Sequence, residues 1–152
     1  LSNGFAAMGF GLPAAIAAAL TVRGARKVAA IVGDGGFLMN VGELETARRL
    51  GNPLVVLVWS DGSYGLIEMH QRRQFGHVTG TRFGNPDFVA LARAFGLEGF
   101  RVERAGELKP TLRRAFAARG PAIVEVPIDY RENEKLGIDL WQLAPDLRRQ
   151  LA

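Results

Sequence analysis

The stretch KVAAIVGDGG, residues 27–36, decides the fold, because a short apolar run leads directly into a glycine turn that carries one carboxylate. A second apolar run, LVVLVW at residues 54–59, ends in the same way at Ser60-Asp61-Gly62. Continuous apolar runs of this length are typical of buried parallel strands. The carboxyl ends of parallel strands meet at one edge of a sheet, where open α/β folds bind ligands. We therefore expect Asp34 and Asp61 at that edge.

The carboxylates in these turns indicate what the edge binds. A glycine turn offers backbone N–H groups to a phosphate, but a carboxylate inside the turn repels the phosphate unless a hard cation lies between them. Magnesium and calcium both prefer oxygen ligands, and magnesium commonly shares them with substrate phosphates. Asp34 and Asp61 therefore predict a divalent cation that holds a diphosphate. The simpler alternative is that both are turn residues, since Asp-Gly is common in loops.

Helical and strand patterns alternate along the chain. We predict helices over residues 8–22, 40–50, 64–73, 87–95 and 106–118, strands over 27–32, 54–59, 98–103 and 122–127, and a polar, glycine-rich loop over 74–85. This alternation is typical of α/β proteins. We therefore expect one domain over residues 1–152, built as a three-layer, doubly wound parallel sheet.

The composition excludes several classes of protein. The absence of cysteine excludes a disulfide scaffold, a thiolate nucleophile and a cysteine zinc site. The net charge of +4 comes from scattered arginines without a basic stripe interleaved with aromatic residues, so we expect no nucleic-acid partner. No apolar stretch is long enough to cross a membrane, and we expect no membrane partner and a cytoplasmic protein. Because Leu1 lies in a loop-like segment, we expect a C-terminal fragment of a longer polypeptide.

Three other motifs carry weaker functional signals. GFGLPA at residues 9–14 mimics a dinucleotide-binding fingerprint, but no strand precedes it. Glu43 and Glu45 lie two residues apart on a predicted helix and so do not share a face. His70 and His77 lie outside the aspartate turns, so we expect no histidine metal site.

The glycine turn and the segment after it resemble the diphosphate motif of thiamine-diphosphate-dependent enzymes, which is Gly-Asp-Gly, a spacer, and Asn-Asn or a close variant. Here residues 36–59 form the spacer, and Ser60-Asp61 replace Asn-Asn, which keeps an oxygen ligand at the second position and adds a charge. Residues 2–13, 33–47 and 120–131 resemble the acetolactate synthases, the catabolic type in particular. The resemblance covers most of the chain and implies the thiamine-diphosphate-binding fold.

The resemblance also implies roles for individual residues. It makes the side chains of Asp34 and Asp61 and the backbone carbonyl of Ser63 the ligands of a magnesium ion. It makes Met8 the apolar wedge that bends the thiamine, while backbone groups of Ala6 and Met8 bind the aminopyrimidine. The full set of implied cofactor-binding residues is Ala6, Met8, Gly33, Asp34, Gly35, Gly36, Asp61, Ser63 and Tyr64.

The implied reaction is the condensation of two pyruvate molecules to 2-acetolactate with release of carbon dioxide. It needs thiamine diphosphate and Mg²⁺, and FAD is not expected in this domain. His70 stands where anabolic enzymes of the family carry tryptophan and catabolic ones carry glutamine or glutamate. His70 and Gln71 are therefore candidates for substrate selectivity, and the position of His70 departs from both patterns.

The family also implies partners that this chain lacks. The glutamate that activates the cofactor comes from a pyrimidine-binding domain, usually of a neighbouring subunit, so we expect at least a homodimer. We expect no catalytic residue in this chain, and no activity of the chain alone. The alternatives are another thiamine-diphosphate decarboxylase or oxidase of 2-oxo acids, such as benzoylformate decarboxylase or pyruvate oxidase, or a subunit of a split enzyme.

Overall fold

The structure, a computed structural model, describes residues 7–22, 26–51 and 53–131. The strands of this part are β1 (Val28–Gly33), β2 (Leu54–Ser60), β3 (Glu98–Arg101) and β4 (Ala122–Pro127). Its α-helices are α1 (Gly11–Thr21), α2 (Asp34–Met39), α3 (Glu43–Leu50), α4 (Gly65–Phe75), α5 (Phe88–Ala94) and α6 (Leu108–Ala117), with a 3₁₀ turn at Ala105–Glu107 before α6. None of the helices described here is long and apolar enough to cross a membrane.

The strands form one parallel sheet in the order β1-β2-β4-β3. Gly33 at the end of β1 lies beside Trp59 on β2, and Trp59 lies beside Val126 on β4. The carboxyl ends of these three strands therefore form one edge of the sheet. The turns that hold Asp34 and Asp61 both leave the sheet at this edge. The predicted parallel α/β sheet is confirmed.

Strand side chains alternate between two cores, one on each face of the sheet. On the first face, Val56, Val58 and Ile123 pack with buried residues of α1, α2, α3 and α5. On the second face, Val55 packs with Ala115 of α6. Helices therefore cover both faces, as the three-layer prediction requires.

Two helix boundaries differ from the prediction, and both lie near the carboxyl edge. α1 begins at Gly11 rather than at residue 8, because Gly9 has a φ of +87°, which an α-helix does not contain. α3 begins at Glu43 rather than at residue 40, and a separate helix, α2, occupies Asp34–Met39, where only a glycine turn was predicted. The chain breaks at Asn40 (φ −127°) between the two helices. Asn40 Nδ2 donates to the carbonyl oxygen of Gly9 across 2.8 Å, which ties the two irregular points together.

Two strands also differ from the prediction. β1, predicted to be buried, is an edge strand of the described sheet, and its Ile31 side chain is 59% exposed. α1 covers one face of β1, whereas α6 lies over β3 and β4 on the other face. β3 ends at Arg101, two residues early, because the chain turns toward α6 and the Glu103 N–H donates to the Glu107 carboxylate.

Candidate functional site

Asp34 lies at the junction of β1 and α2, and its side chain is buried. Its Oδ2 accepts hydrogen bonds from the backbone N–H groups of Asp61 (2.9 Å) and Gly62 (2.8 Å) and from Asn85 Nδ2 (2.6 Å). Its Oδ1 accepts from the N–H of Gly35 at 2.7 Å. Four N–H donors offset the cost of burying a carboxylate. The turn after β2 is thus folded around the carboxylate that follows β1.

Asp61 brings a second carboxylate to the same edge. Its own N–H contacts Asp34, and its Oδ1 accepts from the Ser63 N–H at 3.3 Å. Partial burial, and then the negative charge of Asp34, raise the pKa of the Asp61 carboxyl group. In the protein alone, the charge of Asp34 therefore disfavours the charged form of Asp61. A cation between them would remove this repulsion.

The donor set fits a divalent cation with oxygen ligands. Among the described residues, no group of three or more His, Cys, Asp or Glu side chains is arranged to hold a metal ion. A cation beside Asp34 and Asp61 therefore needs backbone, water or phosphate oxygens as further ligands. Magnesium is commonly bound in this way, by one or two carboxylates together with substrate phosphates.

A cavity of about 270 Å³ opens beside the two carboxylates. Most of the residues predicted to bind cofactor line it: Met8, Gly33, Asp34, Gly35, Gly36, Asp61, Ser63 and Tyr64. Apolar side chains of Trp59, Leu66 and Ile67 form much of its rim, and all three are substantially exposed. The cavity therefore combines a polar floor at the glycine turn with apolar walls, as ligand sites commonly do.

The glycine turn is shaped by a close approach of Tyr64. A Cβ atom added at Gly35 would lie 2.4 Å from Tyr64 Cε1, so only glycine fits beneath this ring. The Tyr64 ring packs against Phe83, with 4.8 Å between ring centroids, and the same added Cβ atom would lie 3.3 Å from Phe83 Cζ. At Gly33, by contrast, an added Cβ atom meets nothing within 4 Å. The requirement for glycine in this turn is therefore local to Gly35.

Ser63 is fixed by a buried carboxylate on α4 that the sequence analysis did not single out. Ser63 Oγ donates to Glu68 Oε2 at 2.8 Å, and Arg72 and Arg82 contact Glu68 Oε1 at 2.5 and 3.3 Å. The hydrogen bond from Arg72, followed by that from Ser63, lowers the pKa of Glu68 to about 2. The Glu-Arg spacing of four residues on the predicted helix was a detectable signal of this pair. The contact with Ser63 had no sequence signal.

Asn85 is the second residue that sequence reasoning missed. Its Nδ2 contacts both Asp34 Oδ2 and Ser60 Oγ, at 2.6 and 3.0 Å. The residue falls at the end of a segment predicted only as a polar loop. Its contact with Asp34 spans 51 positions of the chain, and no local pattern encodes such a distance.

The remaining predicted site residues have varied placements. Met8 is half-exposed and faces the cavity, while Ala6 lies outside the described residues. His70 is exposed on α4 and does not line this cavity. Gln71 forms two hydrogen bonds with the backbone of Thr79, at 2.9 and 3.2 Å, and so holds the following loop. The structure does not bring His70 and Gln71 to the carboxylates.

Comparison with known proteins places this geometry in a family. The model of the thiamine pyrophosphate (thiamine diphosphate) enzyme C-terminal TPP-binding domain matches residues 1–126. The chain is 42% identical over 139 residues to acetolactate synthase of Bacillus subtilis (strain 168), which covers 91% of this chain and 24% of that protein. It is 45% identical over 136 residues to the catabolic acetolactate synthase of Raoultella terrigena, covering 90% of this chain and 24% of that protein.

A solved structure agrees with the sequence matches. Benzoylformate decarboxylase from Polynucleobacter necessarius superposes with a TM-score of 0.74 at 29% identity, over 80% of this chain and 24% of that chain. The chain spans about a quarter of the length of the relatives it matches. It belongs to the family of C-terminal TPP-binding domains of thiamine pyrophosphate enzymes.

Proposed function

We propose that this chain is the thiamine-diphosphate- and magnesium-binding domain of an acetolactate synthase. One observation carries the proposal: the buried Asp34 carboxylate is enclosed by the turn after β2, and it adjoins a cavity floored by glycines. Its similarity to acetolactate synthases supports the choice of enzyme.

The residues at the edge have distinct proposed roles. Asp34 and Asp61, with the backbone carbonyl of Ser63, hold the magnesium ion. Its charge would offset the effects of burial and of the Asp34 charge, which together raise the pKa of Asp61. Gly36 is proposed to present its backbone N–H group to the diphosphate, whereas the N–H of Gly35, also predicted to do so, donates to Asp34 Oδ1 at 2.7 Å. When bound, thiamine diphosphate supplies the carbanion chemistry of 2-oxo acid decarboxylation and carbon–carbon bond formation.

The apolar walls have a separate proposed role. Met8 lies at the cavity and is proposed as the wedge beneath the thiamine. Trp59, Leu66 and Ile67 line the same space and would exclude water from the reacting end of the cofactor. Their present exposure is consistent with a surface that a second domain covers in the working enzyme.

For the whole protein, the proposed reaction joins two pyruvate molecules into 2-acetolactate and releases carbon dioxide. A pyrimidine-binding domain, usually of a neighbouring subunit, would supply the activating glutamate, so the working enzyme is proposed to be a homo-oligomer in the cytoplasm. The second candidate is a 2-oxo acid decarboxylase, favoured by the structural similarity to benzoylformate decarboxylase. Product analysis of the whole protein with pyruvate separates them, because acetolactate yields acetoin after acidification.

The site assignment is tested by calorimetric titration of thiamine diphosphate with and without Mg²⁺. Asp34→Asn keeps the size of the side chain but removes the charge, and we expect it to abolish the magnesium-dependent part of binding. Glu45→Gln is the matched control, because Glu45 is exposed on α3 and pairs only with Arg49 among its described contacts. Unchanged magnesium-dependent binding by Asp34→Asn would refute the assignment.

A further inference from the structure

The side-chain amide of Asn85 donates a hydrogen bond to the Asp34 carboxylate. Its Nδ2 carries two hydrogens, and its two hydrogen-bond partners are Asp34 Oδ2 and Ser60 Oγ. Asn85 therefore joins the carboxylate after β1 to the hydroxyl at the end of β2, from a third segment that precedes α5.

The position of the Asn85 side chain does not satisfy all the hydrogen-bonding groups of Asn85 itself. Asn85 Oδ1 is buried and has no hydrogen-bond partner among the described residues. A buried acceptor without a partner is unfavourable, and such groups in a folded protein call for an explanation. The explanation offered by the geometry is that the amide is oriented for Asp34.

The segment that carries Asn85 is anchored independently of Asp34. The Asp87 side chain accepts hydrogen bonds from the N–H groups of Val89 and Ala90 and so caps α5. Arg101 on β3 contacts Asp87 at 3.1 Å and Glu125 on β4 at 2.8 Å. Two strands and a helix therefore fix the position from which Asn85 reaches the carboxylate.

The hydrogen bonds on Asp34 are distributed unequally between its oxygens. Oδ2 accepts three N–H groups, from Asp61, Gly62 and Asn85, whereas Oδ1 accepts only the N–H of Gly35. A carboxylate oxygen has about two lone pairs. Oδ2 is thus saturated, and Oδ1 is the oxygen with capacity left for a further ligand.

We propose that Asn85 is a positioning residue, which saturates Asp34 Oδ2 and so leaves Oδ1 as the oxygen of Asp34 that binds the cation. The inference rests on the proposed function, and it assigns to Asn85 no contact with cofactor or substrate. Partners that orient a metal ligand typically change metal affinity by about 10- to 100-fold when they are removed.

The test measures Mg²⁺ affinity at saturating thiamine diphosphate, together with urea unfolding of the cofactor-free protein. Asn85→Ala should weaken Mg²⁺ binding by about 10- to 100-fold. Asn85→Leu keeps more of the volume and should give the same loss, which guards against a folding failure of the alanine variant. Val55→Ala is the control, since it removes buried apolar volume from the second core, near the start of β2 and away from the carboxylates. It should lower the unfolding midpoint without a comparable change in Mg²⁺ affinity.

The outcomes separate the two proposals. If the unmodified protein binds thiamine diphosphate with Mg²⁺ and both Asn85 variants keep its Mg²⁺ affinity, the positioning role is overturned and the proposed function stands. If Val55→Ala loses Mg²⁺ affinity as strongly as Asn85→Ala, general destabilisation explains the loss and the positioning role is again overturned. If the unmodified protein shows no magnesium-dependent binding, the proposed function and the inference fail together.

Discussion

Arg101 on β3 and Glu125 on the adjacent strand β4 form an ion pair across the sheet, with 2.8 Å between Nε and Oε2. The Glu125 side chain is buried, whereas that of Arg101 is 34% exposed. The hydrogen bond that Arg101 donates to Glu125 is the main reason that the pKa of Arg101 is raised. The pair joins the edge strand β3 to the centre of the sheet.

Arg101→Ala should therefore destabilise the protein, because it leaves the buried Glu125 carboxylate without its partner. Removing one partner of a buried charged hydrogen bond costs about 1–3 kcal/mol, and the partial exposure of Arg101 favours the lower end. The free energy of unfolding in urea measures the loss. Arg49→Ala, which breaks the exposed pair with Glu45, should have little effect; an equal loss in both variants would contradict the assignment.

Gly35→Ala should disturb the site through Tyr64, because the added Cβ atom would lie 2.4 Å from the ring. Overpacking of this kind typically costs about 1–3 kcal/mol of stability. Gly33→Ala is the control, since nothing lies within 4 Å of its added Cβ atom, and we expect a change of no more than about 0.5 kcal/mol. Equal stability of the two variants in thermal unfolding would show that Tyr64 moves aside freely.

Protonation of Asp87 at low pH should lower the stability of the protein. The hydrogen bond from the Ala90 N–H is the main reason that the pKa of Asp87 lies below its ordinary value of 3.8. Ionised Asp87 therefore stabilises the fold above that value, and this contribution is lost as the pH falls through the lowered pKa. Asp87→Asn removes the charge. The difference in thermal unfolding midpoint between the unmodified protein and this variant should therefore become smaller on acidification. A constant difference from neutral pH down to about pH 2.5 would contradict the prediction.

His70→Trp should raise the use of 2-ketobutyrate relative to pyruvate in the whole protein. An indole at this position would offer apolar surface to the extra methyl group, and one methylene in a pocket is worth roughly 10-fold or more in selectivity. His70 is exposed in this structure, so the prediction requires the working assembly to cover it. Competition between the two acceptors measures the ratio, and a strong 2-ketobutyrate preference of the unmodified protein would overturn the catabolic assignment.

The chain alone should release no carbon dioxide from pyruvate and should bind thiamine diphosphate weakly. The cavity beside Asp34 is open and its apolar rim is exposed, so one wall of the proposed cofactor site is missing. The gas released by the purified chain with pyruvate, cofactor and Mg²⁺ can be measured directly. Turnover under these conditions would show that no second domain is needed.

The parts of the fold that were predictable are those with a strong local pattern. The apolar runs that became β2 and β4, and the Asp87 cap of α5, are visible in the sequence because strand burial and capping depend on neighbouring residues. The short helix α2 was missed because Gly35 and Gly36 are poor helix formers. Burial of Phe37 in the first core stabilises α2 in spite of them.

The polar contacts that complete the candidate site were not predictable in the same way. Glu68 on α4 contacts Ser63, and Asn85 in the loop before α5 contacts Asp34. These contacts exist only after the strands have assembled, and the sequence provides the residues without their pairing. The exposure of Ile31 was missed for the same reason, because an apolar run does not reveal which strand lies at an edge.

The turn around Gly9 lies against α2 and is bonded to its end. Asn40 Nδ2 holds the Gly9 carbonyl, and the backbone nitrogen of Gly9 lies 3.7 Å from where a Cβ atom at Gly36 would be. Asn40 therefore links the segment that carries Met8 to the helix that begins at Asp34, and the fold sets the distance between the wedge and the metal end. Under the proposed function, this distance would select cofactors by their length. An analogue with a longer bridge between its ring and its diphosphate could bind at only one of the two ends of the site.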